Sequence, residues 1–418
     1  MKPSLYIHIP FCKKKCDYCD FFSIGEADRR GKANDLSDSY IDSLLKEAKV
    51  YAEFYGITEW KTVYAGGGTP SLLSPAQIRS LFSGIKKIAP FASDCEVTLE
   101  MNPDDVREEF LEVCAQSGVN RLSMGIQALD DSALRAVNRG ASVSQIQNAL
   151  ETLKNYWKGR LSVDFIAGLP CHTHKSFENQ FEILNHYPDI DHVSLYTLTI
   201  EENTPLWKNI ERGKVSFSYE KADRMWLKGR QILEKRGFTH YEVSNFAKKG
   251  FESRHNSAYW KQENYIGIGA GASGTVYDFE KKSALRWTNT LSIPAYCAGV
   301  REAFRSQSER AVISSEKSES ENLSLLKRKV EILDEKTLEF EFLMLGFRCL
   351  SGVSEKEFEK RFGKPLSERI GVGKRNGVFS QWQKNRFATA KKMSDGDTIY
   401  SLNRRGILLL NRFLEEFL

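Results

Sequence analysis

Three of the eight cysteines in this 418-residue chain lie close together, at Cys12, Cys16 and Cys19. Closely spaced thiolates are soft ligands that suit zinc or an iron–sulfur cluster. A structural zinc site needs a fourth ligand, and only His8 and two aspartates are near in the sequence. Three thiolates without a fourth protein ligand fit a 4Fe–4S cluster whose last iron is open to an exchangeable ligand. Zinc, or three thiols that bind no metal, remain alternatives at this point.

A second group of residues lies mostly near the ends of predicted strands. It combines glycines, whose backbone is bare, with polar side chains. It consists of Gly66, Gly67, Gly68, Thr69, Glu100, Gln127, Arg139 and Asp164. Glycines expose the backbone to a close ligand, but a tight turn without a ligand would explain them as well. Each polar side chain could likewise be a helix cap or a satisfied, half-buried group. If they meet at one rim, carboxylate, amide and guanidinium groups would suit a ligand with an amine, a ribose and a carboxylate.

A third motif, HNxxYW, contains His255, Asn256, Tyr259 and Trp260. An imidazole and two aromatic rings within a few residues could ligate haem iron and pack against a porphyrin. We expect His255 to be the axial ligand and the two aromatic rings to contact the macrocycle. The alternative is that these side chains simply pack beneath the glycine-rich segment 267–274. Competing haem ligands elsewhere in the chain are His8, His172 and His174.

The elements that must position these residues alternate between short apolar runs and longer amphipathic segments. The predicted strands are 5–9, 62–65, 96–101, 121–127, 161–167 and 192–198, and predicted helices between them include 37–55, 75–88 and 104–116. This pattern indicates parallel strands connected by helices that cover the sheet. Periodicity alone leaves an open doubly wound sheet and a partial barrel as alternatives.

Composition limits the class of protein and suggests its division. The 60 Lys and Arg residues nearly balance 55 Asp and Glu, so a nucleic-acid partner is not expected, and 41% hydrophobic residues indicate a globular protein. We find no apolar run long enough to cross a membrane and expect a cytoplasmic protein. A charged, Ser-rich stretch at 306–329 suggests a core domain at 1–290, a connector or insertion at 291–335, and a smaller, mainly helical C-terminal domain at 336–418.

Longer strings around these motifs resemble a known family. YIHIPFCKKKCDYCDFF at 6–22, RLSMGIQALDD at 121–131, VNR at 137–139 and DFIAGLP at 164–170 resemble the oxygen-independent coproporphyrinogen III oxidase family of the radical S-adenosylmethionine (SAM) superfamily. The resemblance implies a partial (β/α)6 barrel and a 4Fe–4S cluster whose open iron is chelated by SAM. The SAM contacts it implies are Tyr6, Gly67, Gly68, Thr69, Glu100, Gln127, Arg139 and Asp164.

Two departures argue against the oxidase activity itself. The oxidase pattern has a further cysteine where this chain has Phe21, and it has a longer segment before the first cluster cysteine, here Cys12. The HNxxYW motif instead resembles the haem chaperone (HemW) branch of the family. The resemblance therefore implies a protein that binds the cluster, SAM and haem and passes haem to an acceptor protein, without coproporphyrinogen oxidase activity.

Partners and alternatives follow from the same resemblance. The acceptor is unknown and could be membrane-associated, and an electron donor is required if SAM is cleaved. The main alternative is a true enzyme, either the oxidase or another radical SAM catalyst that acts on a porphyrin. A non-catalytic zinc-binding interaction protein is a more distant alternative.

Overall fold

The computed structural model describes residues 1–29, 38–312 and 325–418. The strands are β1 (Ser4–Ile9), β2 (Phe11–Cys12), β3 (Ile24–Gly25), β4 (Trp60–Gly67), β5 (Phe91–Met101), β6 (Arg121–Gln127), β7 (Arg160–Ala167), β8 (Ile190–Thr197), β9 (Thr239–His240), β10 (Asn245–Ala247), β11 (Tyr265–Ile268), β12 (Ser273–Asp278), β13 (Ser283–Asn289), β14 (Arg328–Leu333), β15 (Val353–Ser354), β16 (Ala388–Lys392) and β17 (Thr398–Leu402).

The helices are α1 (Glu26–Arg29), α2 (Asp38–Phe54), α3 (Pro75–Ile88), α4 (Glu108–Gln116), α5 (Asp131–Ala136), α6 (Val143–Tyr156), α7 (His174–Asn179), α8 (Ile183–His186), α9 (Pro205–Glu211), α10 (Tyr219–Lys235), α11 (Arg254–Trp260), α12 (Ile293–Val312), α13 (Glu335–Gly346), α14 (Glu355–Phe362), α15 (Leu366–Ile370), α16 (Val378–Lys384) and α17 (Leu410–Glu415). Among the described residues, no helix is both long and apolar enough to cross a bilayer.

Six parallel strands form the centre of the fold, in the order β1-β4-β5-β6-β7-β8. Each is connected to the next by at least one helix, as the sequence pattern predicts. On the side of β1, the sheet continues through β11, which is parallel to β1, and then through the antiparallel strands β12, β13 and β14. The predicted partial (β/α)6 barrel with a mainly helical C-terminal region is confirmed.

The alternation of side chains along these strands explains why the barrel has a polar interior. Leu5, Ile7 and Ile9 of β1 belong to the apolar core shared with the helices. Tyr6 and His8 alternate with them and therefore face the opposite side, toward the barrel interior. The same alternation in the other strands gives the interior the polar groups that a ligand needs.

The C-terminal region has a core of its own. Phe342, Phe347, Phe358, Phe379 and Phe413 are buried together there, beneath the small sheet β15-β17-β16. Helices α13 to α17 supply most of its residues.

In its described residues, the predicted connector at 291–335 includes a helix and a strand. Helix α12 packs against α2, and β14 pairs with β13, so the large sheet extends to Leu333. Residues 313–324 of this segment lie outside the described part of the chain. The division into three parts stays a prediction.

Candidate cofactor site

The three cysteines lie on a loop that begins where β1 ends. Cys12 ends the short strand β2, Cys16 is buried, and Cys19 is partly buried. The backbone N–H of Cys19 donates to the carbonyl of Cys16 at 3.2 Å, which closes a turn between them. Lys13, between the first two cysteines, pairs with Asp104 at 3.0 Å and also with Asp105. These contacts fix the loop against the segment that follows β5.

Two polar side chains from other loops contact the cysteine sulfurs. The Thr69 hydroxyl donates to Cys12 Sγ at 3.5 Å, and Arg139 Nη1 donates to Cys16 Sγ at 3.6 Å. Burial raises the pKa of the Cys19 thiol to about 11, so it needs a bound metal to become a thiolate near neutral pH. Among the described residues, no three His, Cys, Asp or Glu side chains converge on one ion position. A 4Fe–4S cluster binds each thiolate to a different iron and does not require that convergence.

The cysteine loop borders a cavity of about 400 Å³ at the carboxyl ends of the strands. We call it the cysteine cavity. It is lined by all three cysteines and by seven of the eight predicted SAM contacts: Gly67, Gly68, Thr69, Glu100, Gln127, Arg139 and Asp164. Its volume is typical of a site that encloses one small ligand.

The eighth predicted contact, Tyr6, does not line the cavity. Its hydroxyl lies 2.9 Å from His8 Nδ1, and its ring stacks on Tyr64 at 6.3 Å. Tyr6 therefore lies in the layer of side chains below the cavity. A direct contact between its side chain and SAM stays a prediction.

The glycine turn after β4 requires glycine for steric reasons. Gly67 has a φ of +105°, and a Cβ built there would lie 2.3 Å from the His8 ring. A Cβ on Gly68 would lie 2.7 Å from the backbone oxygen of Ile9. The turn therefore packs tightly between the end of β1 and the cavity and presents bare backbone to it.

Glu100 is the acidic group at the centre of this arrangement. Its carboxylate accepts hydrogen bonds from the Tyr64 hydroxyl at 2.6 Å and from the Gly67 backbone N–H at 3.1 Å. Burial raises the pKa of Glu100 to about 7, although the bond from Tyr64 favours the ionised form. Burial also raises the pKa of Asp164, across the cavity. Two carboxylates with raised pKa values in one cavity favour a ligand that brings positive charge.

Sequence reasoning missed Asn102, which connects two predicted contacts. Its Nδ2 donates to the Thr69 hydroxyl at 3.2 Å, and its Oδ1 accepts from Arg139 Nη2 at 2.7 Å. Arg139 also donates to the carbonyl of Gly125 at 2.5 Å. Asn102 lies two residues after Glu100, and the same signal, a polar residue at a strand end, could have identified it.

The sequence offers His8 as a competing metal or haem ligand, but in the structure its ring contacts other protein groups. Its Nε2 donates to the carbonyl of Phe22 at 2.9 Å, and its ring stacks on that of Phe22 at 6.1 Å. The ring therefore fills the space between Gly67 and the end of the cysteine loop. We conclude that His8 positions these two segments relative to each other.

The HNxxYW motif lies on α11, at the other end of the barrel. His255 Nδ1 is 2.7 Å from the Thr62 hydroxyl, and Nε2 is 2.9 Å from the Tyr259 hydroxyl. The ring also stacks on Tyr64 at 4.9 Å, and burial lowers the pKa of His255 to about 3. Thr62 precedes Gly67 by five residues, which is roughly 16 Å along a strand. His255 is thus enclosed below the cysteine cavity and separated from it by the Tyr64 ring, whose hydroxyl donates to Glu100 at 2.6 Å.

The other two residues of the motif do not reach that cavity either. The backbone N–H of Asn256 donates to the Ser253 hydroxyl at 3.2 Å. The Trp260 ring packs against the Arg348 guanidinium at 4.8 Å, in the C-terminal region. In this structure the side chains of the motif therefore contact the floor of the barrel and the C-terminal region. Haem ligation by His255 stays a prediction and would require one of the two hydrogen bonds of its ring to break, because iron binds a single ring nitrogen.

Comparisons with known proteins agree with this architecture. Residues 6–184 match the radical SAM superfamily, and residues 333–409 match the HemN C-terminal domain. The solved structure of coproporphyrinogen III oxidase (HemN) from Escherichia coli, described as a radical SAM enzyme, superimposes with a TM-score of 0.74. At 18% identity, over 100% of this chain and 90% of that one, it supports the fold alone.

Curated relatives are similar over most of the chain. The haem chaperone HemW of Lactococcus lactis is 33% identical over 360 residues, which cover 86% of this chain and 85% of the relative. The haem chaperone HemW of Bacillus subtilis is 30% identical over 418 residues, 99% of each chain. The radical SAM superfamily implies a 4Fe–4S cluster and SAM, and the cysteine loop and cavity fit both. The chain belongs to the HemW family within the radical SAM superfamily.

Proposed function

We propose that this protein is a haem chaperone that binds a 4Fe–4S cluster, SAM and haem and transfers haem to an acceptor protein. The observation that carries the proposal is that three cysteines and seven predicted SAM contacts line a single cavity. The names of relatives that match nearly the whole chain, HemW of Bacillus subtilis among them, support haem as the cargo.

In this proposal the predicted site residues that line the cavity have defined roles. Cys12, Cys16 and Cys19 hold three irons of the cluster. Glu100 would accept a hydrogen bond from the amino group of SAM, and Arg139 would donate to its carboxylate. The remaining contacts, Gly67, Gly68, Thr69, Gln127 and Asp164, shape the cavity around the rest of the ligand. When bound and reduced, the cluster supplies an electron that can cleave SAM.

We propose that the protein does not oxidise coproporphyrinogen III. Phe21 occupies the position at which the oxidase pattern has a further cysteine. Several relatives that match over most of this chain, those of Lactococcus lactis, Bacillus subtilis and Escherichia coli among them, are named as haem chaperones, which favours that function over the oxidase.

We also propose that the protein acts in the cytoplasm and meets its acceptor there or at a membrane surface. An electron donor takes part only if SAM is cleaved.

Anaerobic reconstitution with iron and sulfide tests the cluster part of the proposal. We expect a brown protein with about four irons and four sulfides per chain. Cys12→Ala, Cys16→Ala and Cys19→Ala should each lose the cluster, whereas Cys171→Ala, at an exposed cysteine outside the cavity lining, should keep it. Stoichiometric zinc without iron or sulfide in the wild-type protein would overturn the proposal.

A further inference from the structure

Two aromatic side chains at the opening of the cysteine cavity are exposed to solvent. Phe21, directly after the cysteine loop, is 65% exposed, and Tyr196, near the end of β8, is 43% exposed. Both line the cavity, from opposite edges of the parallel strands. Aromatic side chains at such an opening can offer an apolar face to a flat ligand.

The same opening carries charged groups. Lys14 is exposed and Lys15 is half-buried, and both line the cavity on the side of the cysteine loop. Lys15 Nζ donates to the backbone carbonyl of Phe21 at 2.9 Å, which holds its ammonium group next to the main chain of that residue. Asp20 and Glu201 also line the opening, so an anionic ligand must direct its carboxylates toward the two lysines.

The size of the cavity limits where haem can lie once the cluster and SAM are bound. A volume of about 400 Å³ is of the order that encloses one drug-sized molecule. With SAM inside, a macrocycle can lie only across the opening. The layer below the cavity is filled by the stacked rings of Tyr6 and Tyr64.

The enclosed position of His255 also supports a haem site at the opening of the cysteine cavity. Both of its ring nitrogens have hydrogen-bond partners, and the residue is 1% exposed. A chaperone must also release its cargo, and haem at the floor of the barrel could leave only if α11 moved. Haem at the opening keeps an edge in solvent, where an acceptor can reach it.

We propose that haem binds across the opening of the cysteine cavity, with the rings of Phe21 and Tyr196 against the macrocycle and the propionates toward Lys14 and Lys15. This inference rests on the proposed function, because it assumes that haem is the cargo. It assigns haem to the cluster face of the barrel instead of to the HNxxYW helix. No histidine lines the cysteine cavity in the part of the chain that the structure describes.

Haemin titration of the reconstituted protein tests the aromatic contacts. Phe21→Ser and Tyr196→Ala should each weaken haem binding about tenfold, the size expected for loss of a stacked aromatic contact in a binding site. Tyr196→Phe keeps the ring and should stay within about twofold of wild type. Tyr219→Ala, at a tyrosine that is 58% exposed and does not line the cavity, is the matched control and should have no effect.

Charge reversal tests the orientation of the propionates. The double variant Lys14→Glu, Lys15→Glu should weaken haem binding, and the loss should shrink as salt is raised. The control is Lys86→Glu, Lys87→Glu, which alters two adjacent exposed lysines in the last turn of α3. Cluster content is measured in every variant, so that loss of the cysteine loop is distinguished from loss of haem contacts.

The outcomes separate the inference from the function on which it rests. If wild-type protein binds no stoichiometric haem, the proposed function fails and the inference fails with it. If wild type binds haem but Phe21→Ser and Tyr196→Ala bind it equally tightly, the chaperone proposal stands and the site at the opening is wrong.

Discussion

Glu100 gives the sharpest prediction about SAM, because its protonation should control the affinity. Both carboxylate oxygens already accept a hydrogen bond, from Tyr64 and from Gly67, so the group is fixed in place and aimed into the cavity. Replacing it by Gln keeps the shape and removes the charge. Loss of one charge-assisted hydrogen bond costs about 1.5 to 3 kcal/mol, which is roughly one to two decades in the dissociation constant of SAM.

The pH dependence follows from the pKa of about 7 that burial gives this carboxyl group. The amino group of SAM donates to the ionised form of Glu100, so affinity should be nearly constant above pH 7. Below it, affinity should fall by up to about tenfold per pH unit, because a proton must first leave Glu100. In Glu100→Gln that dependence should disappear.

Equilibrium dialysis of SAM with reconstituted protein, between pH 6 and 8.5, measures both effects. Glu201→Gln is the matched control, because Glu201 also lines the cavity but is not predicted to hold SAM. The reasoning is refuted if the affinity of Glu100→Gln equals that of wild type, or if the variant keeps the wild-type pH dependence.

Three further predictions concern the turn, the loop and the floor of the barrel. Gly67→Ala should lower the free energy of unfolding by about 1 to 3 kcal/mol, because the new Cβ would overlap the neighbouring histidine ring of β1. In the same denaturation assay Gly140→Ala should change the free energy of unfolding little, because a Cβ at that position has open space around it. Cys12→Ala should abolish the cluster absorbance, and a brown Cys12→Ala protein would contradict the ligand assignment. His255→Gln should cost about 1 to 3 kcal/mol of stability through lost buried hydrogen bonds while the Soret band of bound haem stays unchanged. A shifted Soret band would instead support the predicted axial ligation.

The positions of the parallel strands could be predicted because their apolar runs are short and regularly spaced. The segment after β5 was harder: a helix was predicted from residue 104, but α4 begins at Glu108. Asp104 and Asp105 instead pair with Lys13 of the cysteine loop. A contact between residues about ninety positions apart cannot be predicted from local periodicity, because it forms only when the strands of the sheet come together.

The cavity shows the same limit. Glu100 and Asp164 could be located from polar residues in apolar strands, because parallel strands place such residues at one edge. How deep each side chain lies along the barrel axis could not be predicted, because that depth depends on the register between strands. Tyr6 and Tyr64 pair in register below the cavity, and Thr62 lies deeper still, beside His255. The position of the HNxxYW residues below the cavity therefore could not be predicted from their sequence pattern.

The central claim, that this protein carries haem instead of oxidising a porphyrinogen, is tested most directly by one paired measurement. Reconstituted, reduced protein with SAM is titrated with haemin, and the same preparation is assayed for conversion of coproporphyrinogen III to protoporphyrinogen IX. We predict saturable binding of one haem per chain and no conversion. Conversion of coproporphyrinogen III without saturable haem binding would contradict the account.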